Sequence, residues 1–360
     1  MHEKVLAAMS GGVDSSVAAA LLLKQGYEVT GAVMRLFPDS RAHEDAQRVA
    51  FHLGIPIKIL DFSDLFEEKV VRSFIHEYLS GRTPNPCIAC NRVMKFGQLL
   101  DMAVESGFDA VATGHYARLA AEPGKPPALM KALDRGKDQS YFLYGLRREV
   151  LSRILFPLGA FRKQEVREMA ASLHIPVAAK NESQEICFIS DNDHARFIRE
   201  RAGSMAVLSG NTTMQPGNLT DKTGKVLGRH EGLYTYTIGQ RRGLGLSMGK
   251  RVFVTGMDPK SGTVTIGNEE DLYSEGLLAG HLNWLQDPMD IPREILVKIR
   301  SRAPETPAFL ELLPSGQARV IFHQPQRAVT PGQSAVFYHG EQVLGGGIIA
   351  EVLSQSGKTQ

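Results

Sequence analysis

Cysteine is scarce in this chain of 360 residues: Cys87, Cys90 and Cys187 are its only three. Three thiols make no disulfide scaffold. They point to a reducing setting, the cytoplasm, where each needs its own explanation. A zinc site with four thiolates is excluded. No apolar run is long enough to span a bilayer, so no membrane partner is expected. The start, Met1–Gly12, carries one short apolar stretch that ends in glycines; it reads as a first strand, not a secretory leader. A strong charge of one sign is missing as well. Forty-one Lys and Arg against 39 Asp and Glu leave +2, which neither demands nor excludes nucleic acid, so any RNA site has to be a local basic patch. Repeats and low-complexity tracts are absent. What is present is a normal globular balance, 43% hydrophobic and 22% charged, in a chain long enough for two or three domains.

The first half alternates strand and helix patterns. Strands are expected at Val5–Met9, Val29–Leu36, Ile55–Phe62 and Ala110–Thr113. Helices are expected at Val13–Gln25, Glu44–Leu53, Asp64–Leu79 and Asn91–Ser106. This βαβα order implies a parallel sheet covered by helices on both faces. After about residue 200, turn pairs such as Pro216-Gly217, Asp258-Pro259 and Ser261-Gly262 punctuate short alternating runs, Arg251–Thr255 and Thr263–Ile266. A second all-β stretch, from about Leu278 to Leu353, holds Ile295–Arg300, Phe309–Leu313, Arg319–Phe322, Ser334–Tyr338 and Gly346–Val352. Asp287–Pro292 reads as a surface loop.

Ser10-Gly11-Gly12-Val13-Asp14-Ser15-Ser16 follows the first strand and opens the first helix. A helix N-terminus offers free amide N–H groups and the positive end of the macrodipole. Two glycines let the backbone approach a phosphate, and Ser10, Ser15 and Ser16 add hydroxyls. The lack of a Gly-Lys-Ser/Thr ending sets the string apart from a Walker A loop.

The thiols leave several readings open. Cys87-x-x-Cys90 is spaced for a redox pair or half a metal clip. With Cys187 and a histidine it makes a Cys₃His zinc set, and the three thiols alone suffice for a [4Fe–4S] cluster with one open iron. Buried structural cysteine is the plain alternative. Cys87 and Cys90 sit in a Pro/Asn-rich loop before the expected helix Asn91–Ser106. A nearby helix N-terminus lowers a thiol pKa, which favours reactivity. Cys187 lies 97 residues beyond Cys90, so only the fold can bring them together.

The phosphate loop resembles that of the ATP pyrophosphatases, the PP-loop superfamily. Further motifs narrow this: Gly81-Arg82-Thr83-Pro84-Asn85-Pro86-Cys87-Ile88-Ala89-Cys90-Asn91, Lys95-Phe96, Ala112-Thr113-Gly114-His115-Tyr116, Lys137-Asp138-Gln139-Ser140-Tyr141-Phe142-Leu143 and Ser183-Gln184-Glu185-Ile186-Cys187-Phe188-Ile189. Thr237–Gly245, Ala328–Gln333 and Leu344–Ile349 continue the series. In this order, over almost the whole chain, they resemble the bacterial-type tRNA-specific 2-thiouridylases. The resemblance implies an α/β domain over 1–200, of adenine-nucleotide α-hydrolase-like PP-loop fold, with tRNA-holding helices near 160–200. A β-rich connector over 201–275 and a C-terminal β-barrel over 276–360 complete the chain.

It also implies a sulfurtransferase that adenylates the C2 oxygen of wobble uridine 34 with ATP and Mg²⁺, then replaces that oxygen with sulfur from a cysteine persulfide. By position, Cys187 matches the persulfide carrier and Cys90 the nucleophile, with a transient Cys90–Cys187 disulfide. Ala8, Met9, Ser10, Gly11, Gly12, Val13, Asp14, Ser15, Met34 and Gly114 match ATP contacts, Asp14 lying near pyrophosphate and Mg²⁺. Asn85, Pro86 and Cys87 match the target-base segment. His115, Lys137, Asp138, Gln139, Arg300, Ser301 and Gln333 match tRNA contacts. The implied partners are tRNAs with Lys, Glu and Gln type anticodons and a cysteine desulfurase or sulfur-relay protein. An iron–sulfur cluster on Cys87, Cys90 and Cys187 is the alternative mechanism. Cys87 stands where the best-known members carry aspartate, and no acid–base role is carried over to it. Arg241-Arg242 suits phosphate contact, while Arg147-Arg148, Arg162-Lys163 and Arg196, Arg199 and Arg201 divide between tRNA contact and plain surface.

Overall fold

The structure is a computed structural model that describes residues 3–37, 42–121, 124–181, 186–189, 191–202, 212–291 and 293–353. Ser183–Glu185 and Pro292 lie outside these residues.

Strands β1 (Lys4–Ala8), β2 (Glu28–Arg35), β3 (Ile57–Asp61) and β4 (Ala110–Ala112) form where expected, within two residues. They pair in parallel with a short further strand, Ile154–Leu155, in the order β3-β2-β1-β4-(154–155). Val5 and Leu6 are fully buried, as a central parallel strand covered on both faces requires. Helix α1 (Val13–Lys24) is apolar nearly all round. It packs between the sheet and the Lys163–Ser172 helix, so Val17 and Ala19 are sealed. The sheet runs outward from β1 in both directions, toward β2 on one side and β4 on the other. The carboxyl ends of β1 and β4 therefore face the crevice where such sheets take ligands.

Two helices differ from the sequence reading. The 63–79 helix contains a π segment, Glu67–Val71. The helix expected from Asn91 begins at Pro86, continues as a nine-residue π segment, Cys90–Gln98, and closes as Leu99–Glu105. Asn85 is its N-cap, accepting from Cys87 N at 3.2 Å, and Pro86 occupies the first turn. Asn followed by Pro is a helix start, so Cys87 and Cys90 lie within the helix, not in a loop before it.

An unforeseen hairpin, β5 (Ala117–Ala120) and β6 (Ala128–Lys131), leaves the first sheet. Strands 154–155, 217–220 and 226–230 are likewise outside the sequence reading. Strands Gly217–Thr220, Val226–His230, Phe253–Asp258 and Thr263–Gly267 make a four-stranded sheet. Tyr273–Trp284, Glu294–Lys298, Thr306–Leu312, Ala318–Arg327, Ser334–His339 and Gln342–Leu353 make a six-stranded antiparallel barrel. It is closed by pairing of its first and last strands. The β5–β6 hairpin adds to that last strand at Gln342↔Met130. The glycine run has a packing cause: a Cβ on Gly346 would lie 2.5 Å from Ala335 O and 2.8 Å from the Tyr144 ring. Asp287 caps a single turn over Pro288–Asp290, and Met289 stands exposed at the surface.

Candidate active site

The loop between β1 and α1 is held by its own hydroxyls. Ser15 Oγ accepts from Ser10 N at 3.1 Å, donates to Gly12 O at 3.1 Å and meets Ser10 Oγ at 3.2 Å. Ser16 Oγ donates to Gly12 O at 2.8 Å and is fully buried. Ser16 is thus a structural member of the loop rather than a donor aimed outward, which corrects its sequence reading. Gly11 sits at φ +69°, where a side chain would be strained. No side chain caps α1, so its first amides stay available for an anion. Ala8, Met9 and Val13 set the loop's path: Met9 N donates to Ala32 O at 2.8 Å, and Met9 and Val13 are buried. Met34, next to last in β2, is half-buried and pairs with Leu60 of β3; with Ala8 both pack on the same core. Gly114, after β4, lies so close that a Cβ would be 2.7 Å from Ser15 N. The residues expected at ATP therefore gather at one end of the sheet.

Asp14 does not face this crevice alone. Lys163 Nζ donates to its two carboxylate oxygens at 2.7 and 2.8 Å, and Tyr116 Oη donates to Oδ1 at 2.9 Å. Sequence reasoning places Lys163 among surface or tRNA cations; it is buried. Its neighbours in sequence give no warning, since the pairing spans 149 residues. Lys180 Nζ donates to Gly11 O at 3.2 Å and to Asp45 at 2.6 Å.

The fold brings the segment that carries Cys187 to the helix that carries the other two thiols. Ile186, Phe188 and Cys90 pack on one apolar cluster with Phe66, Phe74, Met94 and Ile189. Phe188 makes edge contacts with Phe66 and Phe74 at 5.6 and 5.4 Å and a tilted one with Phe197 at 5.4 Å. Cys87 and Cys187 are exposed and Cys90 is half-buried. All three are free thiols.

Burial works against the expected lowering of the thiol pKa values. Burial pushes Cys90 up, with Lys95 pulling the other way. Burial also raises Cys87. Cys187 is pushed up to about 12, first by burial and then by repulsion from Cys90 and Cys87. The direction is firmest at Cys90, the least exposed of the three. Desolvation disfavours the thiolate. Lys95 is the counter-charge: half-buried, it donates to Asn91 Oδ1 at 3.0 Å, and Asn91 Nδ2 donates to Phe142 O at 3.1 Å.

The residues expected at tRNA are scattered in role. His115 is buried between Phe96 and Phe156, with Nδ1 2.7 Å from Thr113 Oγ1. Burial, then Lys95, lowers its pKa well below 6.5, which keeps the ring neutral at neutral pH. Asp138 accepts from Ala132 N at 2.9 Å and Ser140 Oγ at 2.7 Å, shaping a turn that leaves Lys137 half-buried. Gln139 Oε1 accepts from Tyr116 N at 2.9 Å. Arg300 donates to the carbonyls of Ile238 and Ala328 at 2.9 and 3.1 Å and ties the loop between the second and third strands of the central region to the barrel, with Ser301 in the turn beyond it. Gln333 Nε2 donates to Thr83 O at 2.8 Å. Among the arginines, Arg147 pairs with Asp101, Arg196 with Asp191 and Glu200, and Arg201 with Glu67. Arg241, Lys250 and Arg251 instead line an open cavity of about 750 Å³ in the 241–252 loop.

Comparison with known proteins covers nearly all of this. The family described as "tRNA methyl transferase HUP domain" matches residues 3–191. The "tRNA methyl transferase PRC-barrel domain" matches 206–268 and the "Aminomethyltransferase beta-barrel domain" 274–349. The tRNA-specific 2-thiouridylase MnmA of Acetivibrio thermocellus is 46% identical over 363 residues, covering 96% of this chain and 99% of the relative. That of Carboxydothermus hydrogenoformans is 47% identical over 369 residues, covering 98% and 99%. A solved 4-thiouridine synthetase–RNA complex with bound ATP aligns with a TM-score of 0.33 and 21% identity, over 56% of this chain and 51% of that one. With such identity sustained end to end, the chain belongs to the tRNA-specific 2-thiouridylase family.

Proposed function

We propose that this enzyme converts the C2 carbonyl of the wobble uridine of tRNA to a thiocarbonyl, using ATP and a persulfide sulfur. The observation that carries the reading is that Ile186 and Phe188, the two neighbours of Cys187, pack on the same apolar cluster as Cys90, across 97 residues of sequence, and that Cys90 and Cys87 are near enough to act on the Cys187 thiol.

A uracil carbonyl oxygen is a poor leaving group. Its attack on the α-phosphorus of ATP expels pyrophosphate and leaves the oxygen as AMP. The open amides of α1, with Ser10–Ser15, hold the departing phosphates, and Met34 and Gly114 border the nucleotide. Lys163, already beside the loop, offsets charge there. The terminal sulfur of a Cys187 persulfide then attacks C2, and the C2–O bond breaks with loss of AMP. The Cys90 thiolate attacks Cys187 Sγ, the S–S bond breaks, and the outer sulfur stays on C2. A Cys90–Cys187 disulfide remains, and a two-electron reductant reopens it. Asn85, Pro86 and Cys87 edge the site for a base taken out of its stack in the anticodon loop. His115, Lys137–Gln139, Arg300-Ser301 and Gln333 surround that path in this reading.

Magnesium suits this scheme as a partner of the ATP phosphates, whose charge it would neutralise. Asp14, paired with Lys163 beside the loop, is the residue that would hold it, leaving Lys163 to the phosphates. The thiols do not fit a cluster: among the described residues, no three His, Cys, Asp or Glu side chains are placed to share a metal ion. No step is therefore derived through [4Fe–4S]. The sulfur comes from a cysteine desulfurase or a relay protein, the tRNAs are of Lys, Glu and Gln type, and the reducing cytoplasm reopens the disulfide. No helix among the described residues is long and apolar enough to cross a membrane.

The test is Cys187→Ser. Nucleoside mass spectrometry after reaction with ATP and a sulfur donor should find no 2-thiouridine, while tRNA-dependent AMP release continues. Undiminished thiolation by this variant overturns the assignment.

A further inference from the structure

The segment that leads into the cysteine helix is clamped by the β-rich half of the chain. Arg82 makes a two-pronged bond to Glu77, at 2.6 and 2.7 Å, which fixes it to its own helix. From the central region, Thr213 Oγ1 donates to Leu79 O at 2.8 Å, and Pro259 packs on Gly81 so closely that a Cβ there would lie 2.5 Å from Pro259 Cγ. From the barrel, the turn between its fourth and fifth strands reaches Thr83. Thr83 N donates to Pro331 O at 3.0 Å, and Gln333 Nε2 donates back to Thr83 O at 2.8 Å. Gly332 lies between these two bonds at φ +90°, and a Cβ there would be 2.7 Å from Thr83 N and 2.8 Å from Arg82 Cβ.

The chain between Thr83 and the thiols is stiff. Pro84 and Pro86 have fixed φ, and Thr83 and Asn85, each preceding a proline, are restricted in turn. Four consecutive residues therefore have little freedom to absorb a displacement before Cys87 and Cys90. Whatever places Thr83 places the thiols.

We infer that the Pro331–Gln333 turn of the barrel is a brace for the cysteine helix, and that Gly332 and Gln333 are positioning residues for sulfur transfer. The inference rests on the proposed thiolation and gives the barrel a task besides holding RNA. Gly332 is glycine because the brace must touch the Arg82–Thr83 backbone directly. A methyl group there has to push Thr83 back by a good part of an ångström. Misplacement of about 1 Å at reacting groups costs on the order of 10²-fold in rate.

The experiment uses the full chain. Gly332→Ala should lower single-turnover thiolation at saturating tRNA by roughly 10- to 100-fold, with tRNA affinity within twofold of the parent. In RNA-free protein, hydrogen exchange at the Thr83 amide should rise more than tenfold. Gln333→Ala, which removes one bond and adds no bulk, is read by exchange alone: it should raise Thr83 exchange in milder form, and it guards against misfolding of the first variant. Parent-like Thr83 exchange in both variants overturns the brace, as does a rate loss in Gly332→Ala fully explained by weaker tRNA binding. Because exchange is read without RNA, a parent enzyme that fails to thiolate sinks the proposed function and leaves the brace to be judged by exchange alone.

Discussion

Lys163 Nζ lies 2.7 and 2.8 Å from the two carboxylate oxygens of Asp14, in the first turn of α1 beside the phosphate loop. The lysine side chain is only 10% exposed and the aspartate 30%. Removing one member of such a pair strands the other charge in a poorly solvated place. For a fully buried pair that costs about 3–5 kcal/mol, and the partial exposure of Asp14 reduces it to roughly 2 kcal/mol. Lys163→Met should therefore lower stability by about that much in denaturant titration. It should also cut tRNA-dependent AMP release on the order of 100-fold, because the cation beside the phosphates is gone. Adding Asp14→Asn to Lys163→Met should restore the stability but not the AMP release. Recovery of both would mean the pair is only structural.

Lys95 belongs to the thiol site through helix geometry. In an α-helix, residue i+5 is turned roughly 140° from residue i. With i→i+5 hydrogen bonds, a π turn brings residue i+5 back toward residue i, so the Cys90–Gln98 π segment returns Lys95 to the side of Cys90. Its charge lowers the pKa of each of the three thiols against the burial that raises them. Thiolate is the reactive form. A raised thiol pKa means that alkylation of Cys90 keeps accelerating with pH beyond 9.0, the ordinary thiol value. Lys95→Met should slow iodoacetamide labelling of Cys90 several-fold at pH 8 and move the pH curve upward, while Lys95→Arg should keep most of the parent rate. Peptide mass spectrometry between pH 6 and about 11 reads both. A parent curve that levels off below pH 8 would contradict the burial argument.

How legible all this is in the sequence depends on distance along the chain. The parallel sheet can be read because Val5–Met9 and Val29–Leu36 are short apolar runs spaced by helix-length segments. The phosphate loop can be read because its parts are adjacent. The start of the cysteine helix is also legible in principle: Asn85-Pro86 is a cap followed by a first-turn proline, but the same residues read equally as a rigid loop. The π segments leave no distinct mark in residue pattern. Lys163 is hidden because it looks like half of an Arg-Lys surface pair until the fold delivers it to Asp14. The burial of Cys90 is not legible because helix position is local, whereas the aromatic surroundings come from Phe66, Phe74 and the 186–189 segment.

The neutrality of His115 gives a pH dependence of stability. Its folded pKa lies well below 6.5. Above pH 6.5 the ring is neutral in both folded and unfolded chains and nothing is lost. As pH falls below 6.5 the unfolded chain takes up a proton that the folded one refuses, so stability falls toward the folded pKa. His194 and His230 are lowered too, each first by burial, and they add to the same slope. His115→Gln retains a side chain able to bond Thr113 and cannot protonate. Urea midpoints measured from pH 7.5 down to about 5 should fall less steeply for this variant, while part of the slope persists from the other two histidines. An unchanged slope would remove His115 as a contributor.

Phe188 is the anchor of the sulfur-carrying segment, one residue beyond Cys187. Three aromatic rings meet it, Phe66 and Phe74 from the 63–79 helix and Phe197 from the His194–Ala202 helix. The 63–79 helix packs in turn on Cys90 and Met94, so the ring ties Cys187 to the element that carries its partner. Full burial makes Phe→Ala cost about 3–5 kcal/mol, and a half-buried ring should cost about 2. That energy holds the segment in place, and the segment's freedom decides how often the two sulfurs meet. Phe188→Ala should slow diamide-driven formation of the Cys90–Cys187 disulfide by roughly tenfold or more and reduce thiolation in step. The phosphate loop lies outside the affected cluster, so tRNA-dependent AMP release should stay near the parent value. Phe188→Leu, which keeps apolar volume without the ring contacts, should fall between the two. Equal disulfide rates in the parent and Phe188→Ala would show that another contact holds Cys187 beside Cys90.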